Sequence, residues 1–65
     1  MTVGETELEM AVRHVAEHEA RIGRQEALIE RLRTVGAPLA DAIALLGMMQ
    51  DILKTMCAHV ARLSN

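Results

Sequence analysis

Along the second half of the chain, Leu39, Ala42, Leu46, Met49, Leu53, Met56, Val60 and Leu63 recur at alternating three- and four-residue steps. That spacing gathers eight apolar groups on one face of an α-helix and reads as a heptad seam. Ile43 and Cys57 flank the seam on one side, and Leu45 and Ile52 flank it on the other. The apolar face is wider than one neighbouring helix can cover, and a helix apolar over most of its girth calls for more than one neighbour.

The first half carries a narrower stripe. Leu8, Val15, Ile22 and Ile29 recur every seven residues, with Ala11, His18, Gln25 and Leu32 as their companions. Two of those four companions are polar, while Val12 and Leu28 widen the stripe slightly. The remaining positions are dense in charge, and Glu9–Arg13 and Glu17–Arg21 have the spacing of favourable helical ion pairs. This helix is expected to bury one side and solvate the rest.

Punctuation is confined to Thr34–Leu39, "TVGAPL". Gly36 suits the left-handed position just past a helix end, and Pro38 suits the first turn of the next helix. Upstream, Thr6 with Glu9 and Thr2 with Glu5 both have capping-box spacing. No alternating pattern suggests a strand. The expectation is a single all-α domain over 1–65: a helix from about 5 to 35, a turn at about 35–38 and a helix from about 38 to 64. A turn this short makes consecutive helices antiparallel neighbours. Folding about Gly36 sets Asp41 beside Arg31, Asp51 beside Arg21, Lys54 between Glu17 and Glu19, and Arg62 near Glu9, so opposite charges meet at every level.

With 65 residues and no aromatic side chain, such a hairpin has little to bury. A compact chain of this size hides about 60% of its surface, and small domains generally need a disulfide, a metal or another subunit. Cys57 is the single cysteine, so no internal disulfide is available, and a lone thiol fits a reducing, cytoplasmic setting. The most economical cover for the second helix is a copy of the same hairpin. The pattern therefore predicts an antiparallel two-helix hairpin assembling into a four-helix bundle, as a homodimer or higher oligomer. Leu45, Met49, Ile52, Leu53, Met56 and Val60 are expected at the interface, with an unidentified protein as the rival partner.

Charge and chemistry narrow the function classes. The formal net charge is −2, from seven basic and nine acidic side chains, and no basic face suggests nucleic acid. Met1 to Glu9 is acidic and lacks the apolar core of a signal peptide, and Asp41, Asp51, Lys54 and His59 interrupt the only region apolar enough to resemble a membrane span. His14 and His18 are four residues apart and could chelate a metal with Cys57 or His59 at the same level. The "HVAEH" order nonetheless lacks a glutamate directly after the first histidine, as a zincin helix requires. His18 and Gln25 read as polar seam residues that fix register, Met48, Met49 and Met56 as core at helical spacing, and Cys57 as a small buried hydrophobe. Gly23 and Gly47 interrupt the helices either to admit a close neighbour or as tolerated neutral changes. No catalytic residue and no cofactor is expected.

The run "RIGRQEALIERLRTVGAPLADAIALL" with the later "MCAHVARL" resembles a group of small uncharacterised alphaproteobacterial helical-hairpin proteins. The resemblance is carried by His14, Arg21, Ile22, Gln25, Leu28, Ile29, Leu32, Gly36, Ala42, Leu45, Leu46, His59 and Leu63. It departs at Ala37 and Pro38, where that group usually has a polar cap. It implies a helical hairpin and brings no activity. The leading expectation is thus a non-enzymatic interaction or scaffold protein acting as a homo-oligomer, without nucleic acid or membrane as partner. The alternative is a small-molecule or metal-binding bundle using His14, His18, Cys57 and His59. RNA binding by paired hairpins is a third, disfavoured by the acidic balance.

Overall fold

The computed structural model describes residues 4–65. Two helices pack against each other in antiparallel order, α1 (Glu7–Val35) and α2 (Ala40–Ser64), with no strand among the described residues. Thr6 caps α1. Its hydroxyl accepts from the Glu9 N–H at 3.0 Å, and the Glu9 carboxylate accepts from the Thr6 N–H at 2.9 Å. This reciprocal pair satisfies two amide donors that the first helical turn leaves without partners. The rival start at Thr2 lies outside the described residues.

Gly36 ends α1 with φ 75°. Its N–H donates to Arg33 O at 3.2 Å, and the Ala37 N–H donates to Leu32 O at 2.9 Å. This is a Schellman closure, and the left-handed residue it needs is glycine because a Cβ there is costly. Pro38 departs from its expected place inside the first turn of α2. It stands two residues ahead of Ala40, and Leu39 is the N-cap, accepting from the Ile43 N–H at 2.9 Å without any side-chain cap. Residues 37–39 are used up in reversing the chain after the Schellman bonds, so α2 begins later than the proline signal suggested.

The seam forms as the periodicity predicted. Leu8, Ala11, Val15, His18, Gln25 and Leu32 of α1 are half-buried, as are Ala42, Leu46, Met49, Leu53, Met56, Val60 and Leu63 of α2, and all lie between the helices. Among the described residues only Ile22 (9% exposed) and Ile29 (6%) are buried. The hairpin measures 51 × 26 × 12 Å with a radius of gyration of 15.5 Å, whereas a compact 65-residue chain would have about 11 Å. Its accessible surface is 4957 Å², against about 4,100 Å² for a compact monomer of this mass. A single layer of two helices leaves both broad faces open.

Charge pairing departs from expectation. Arg13 reaches back to Glu5 through two parallel bonds, Nε to Oε2 at 2.9 Å and an Nη to Oε1 at 2.8 Å, and on to Glu17 at 3.3 Å. Glu9 is not its partner because that carboxylate is committed to the Thr6 cap, and Glu17 pairs with Arg13 in place of Arg21. Among the described residues every ion pair lies within α1 or its N-terminal lead, the third being Arg33–Glu30 at 3.7 Å. The cross-helix pairs expected for Asp41, Asp51, Lys54 and Arg62 do not form. These charges stand on exposed faces, where hydration competes with a contact that would contribute only ~0–1 kcal/mol.

The Gly23 and Gly47 alternatives can be weighed within one hairpin. A Cβ added at either position would meet nothing within 4 Å, so neither glycine serves the α1–α2 contact. Gly47→Ala is accordingly expected to stabilise the hairpin by ~0.5–1 kcal/mol, the helical advantage of alanine over glycine. A rise of several degrees in Tm by circular dichroism would record it, and a fall would show that the position is occupied by something other than α1.

Candidate functional site

The candidate side chains border surface hollows on both broad faces of the hairpin. On one broad face, an open apolar groove of about 230 Å³ is lined by Ala11, His14, Thr55, Met56 and His59. Next to it, His14, Glu17, His18 and Arg21 of α1 border Ile52 and Met56 of α2. On the opposite face, Val12, Val15, Cys57 and Val60 form a shallower depression. The helix flanks inferred from the sequence are therefore real: Ile52 opens toward one face of the hairpin and Cys57 toward the other.

His18 and Gln25 act as seam residues. The Nε2–H of His18 donates to Met49 O at 2.7 Å, and Nε2–H of Gln25 donates to Ala42 O at 2.9 Å. Each carbonyl accepts with its spare lone pair while remaining part of the α2 ladder. The two polar groups thus satisfy themselves across the seam and hold the helices in one register. Sequence periodicity marked both positions but could not supply their acceptors, because a backbone carbonyl leaves no signature in the side-chain pattern.

The structure divides the four candidate metal ligands. His14 and His59 share the apolar groove, His18 is turned to Met49 O, and Cys57 lies on the other face with Val12 and Val15. Among the described residues no group of three or more His, Cys, Asp or Glu side chains stands close enough to share an ion. Cys57 is exposed, which corrects its expected role as a buried hydrophobe: it flanks the seam one position away from the contact line. Met48 is likewise 61% exposed rather than core, while Met49 and Met56 are half-buried.

The expected interface residues divide as well. Met49, Leu53, Met56 and Val60 turn part of their surface to α1, whereas Leu45 (47% exposed) and Ile52 (50%) face solvent beside Met48. On the opposite flank, the side that also carries Cys57 about four turns further along, Ile43 is about equally exposed. Val12 and Met10 are the exposed large apolar groups of α1, and Val35 stands at the turn. The face carrying Leu45, Met48 and Ile52 is the more continuous of the two, since the three recur at helical spacing next to the His14–His59 groove.

Hydrogen bonding shifts the titration of side chains at the start of α1. Hydrogen bonding to Arg13 holds the Glu5 carboxyl below its ordinary range, and the Thr6 backbone and hydroxyl do the same for Glu9. Glu5 in return raises the Arg13 guanidinium. A carboxyl lowered in the folded state stabilises that state above its unfolded pKa, and the benefit disappears as pH falls through the folded value. The first turns of α1 are therefore expected to loosen as pH falls below the ordinary glutamate range of about 4.3. Far-UV circular dichroism on acidification would show it, and Glu9→Gln, which keeps the cap but cannot titrate, would remove part of the acid response.

The described residues thus form an all-helical hairpin in which no helix is long and apolar enough to cross a membrane. Comparison with protein-family models, curated proteins and solved structures finds no match to this chain.

Proposed function

We propose that this chain is a non-enzymatic interaction or scaffold protein whose working unit is a homo-oligomer, at the least a pair of hairpins forming a four-helix bundle with α2 at its centre. The observation that carries this reading is the row Leu45, Met48 and Ile52, each about half or more exposed on a helix whose other side already packs on α1. Apolar area left in water costs about 25 cal/mol per Å². The surface in excess of a compact monomer, roughly 900 Å², is comparable with the ~800 Å² that each partner contributes to a standard interface. Two-fold pairing is the commonest closed arrangement and uses the same patch on both copies. The polar seam residues His18 and Gln25 support a structural role, since their bonds are spent between the helices. The single cysteine makes the cytoplasm the proposed setting.

Sedimentation equilibrium at micromolar concentration is expected to give a particle of two or more chains, with a Tm that rises with protein concentration because association stabilises the folded state by mass action. A folded monomer with a concentration-independent Tm would overturn the proposal.

A further inference from the structure

The exposed flank of α2 is itself a complete second seam with charged ends. Leu45, Met48, Ile52, Thr55 and His59 follow one another at three- and four-residue steps, parallel to the seam that faces α1. The same spacing reaches Asp41 four residues before Leu45 and Arg62 three residues after His59. All seven side chains are exposed. The stripe is thus negative at one end, apolar in the middle and positive at the other end, with Ile52 at its midpoint.

Resting on the homo-oligomer reading above, we infer that a second copy of this chain docks on this stripe in antiparallel orientation, about a two-fold axis at Ile52. Leu45 stands seven residues before Ile52 and His59 seven after it, so the axis lays Leu45 of one copy at the level of the partner's His59. Met48 then falls at the level of the partner's Met56. His59 and Met56 line the groove that also contains Ala11 and His14. Each hairpin therefore offers an apolar hollow where the other presents its aliphatic side chains. Asp41 comes within reach of the partner's Arg62, and symmetry makes that contact twice. A parallel arrangement would set Asp41 against Asp41 and Arg62 against Arg62, and like charges in register are unfavourable.

Charge exchange tests the orientation. Asp41 and Arg62 each also suit the dipole of their own helix end, so reversing both is unfavourable within one helix. Recovery of affinity in the double variant can come only from pairing between copies. Asp41→Arg alone is expected to weaken dimerisation about tenfold at low salt, and Asp41→Arg with Arg62→Asp to restore it to within about threefold. The difference should vanish in about 1 M salt. If the single and double variants associate alike, or the double is the weaker, the antiparallel assignment is wrong even though the protein is a dimer. A monomeric parent chain would instead overturn the homo-oligomer reading itself.

Cross-linking supplies a measurement that does not depend on helix-end charges. In a Cys57→Ala background, Ile52→Cys is expected to form a disulfide with its own copy on mild oxidation. Leu45→Cys is expected not to pair with itself but to pair with His59→Cys when the two proteins are mixed. Self-pairing of Leu45→Cys would place the two helices in parallel and overturn the inference.

Discussion

Lysine in place of Ile52 is expected to split the proposed pair of hairpins while leaving each hairpin helical. Ile52 is half exposed in the single chain and contributes nothing essential to the α1–α2 seam, so its loss should be felt between copies. Fully burying an isoleucine is worth ~1.5–3 kcal/mol. Half of that is lost on each of two copies, and two ammonium groups then meet at the axis. The expected penalty is about 2–3 kcal/mol, roughly a hundredfold in dissociation constant. Sedimentation equilibrium reads the constant directly, and circular dichroism at high protein concentration confirms that helix content is retained. Val35→Lys is the matched control: Val35 is 76% exposed at the turn, off the stripe, and the same charge there should leave association unchanged. Equal loss from both variants would mean that general charge, not the stripe, governs assembly.

Ile29→Ala is expected to act on the hairpin itself. Ile29 is the more enclosed of the two buried side chains, and truncating a buried isoleucine to alanine typically costs 2–5 kcal/mol. A core of two residues has little in reserve, so the variant should lose cooperative unfolding at 25 °C or melt far below the parent chain. Thermal melts at matched concentration would decide it. If Ile29→Ala melts like the parent, the seam between α1 and α2 is not what holds the chain together, and the helices must be supported from outside. Comparing the two variants separates contacts within a copy from contacts between copies, because only Ile52→Lys should change the slope of Tm against concentration.

The heptad seam was readable because a 3.6-residue period projects directly into the order of residues. Leu39 to Leu63 and Leu8 to Leu32 both lie where that period put them. The Thr6–Glu9 cap and the Gly36 reversal were readable for a related reason: each depends on backbone groups a fixed few residues away. Features that depend on distance across the fold were not readable. The acceptors of His18 and Gln25 are carbonyls on the other helix. The bidentate partner of Arg13 is Glu5, eight residues away and ahead of the helix, because Glu9 serves the cap. The expected interface mixed two stripes. A straight helix drifts about 20° per heptad relative to a repeat of seven, so Met49 and Met56 border both the seam and the flank. The packed hairpin half-buries the seam residues Met49 and Leu53 and leaves Leu45 and Ile52, on the flank where their spacing puts them, exposed. The charged ends of that flank, Asp41 and Arg62, are visible in the sequence, where simple antiparallel register sets them against Arg31 and Glu9 of α1.

Both buried isoleucines lie in the half of α1 nearer the Gly36 reversal. Holding strength is consequently graded along the molecule, greatest toward the closed end and least toward the open one. Amides near Ile29 are expected to open only when the whole hairpin comes apart, and those near Leu8 and Leu63 to exchange by local fraying. A protease meeting a single hairpin is expected to trim it from its tips, and the proposed cross-copy contact through His59 and Arg62 would shut that open end.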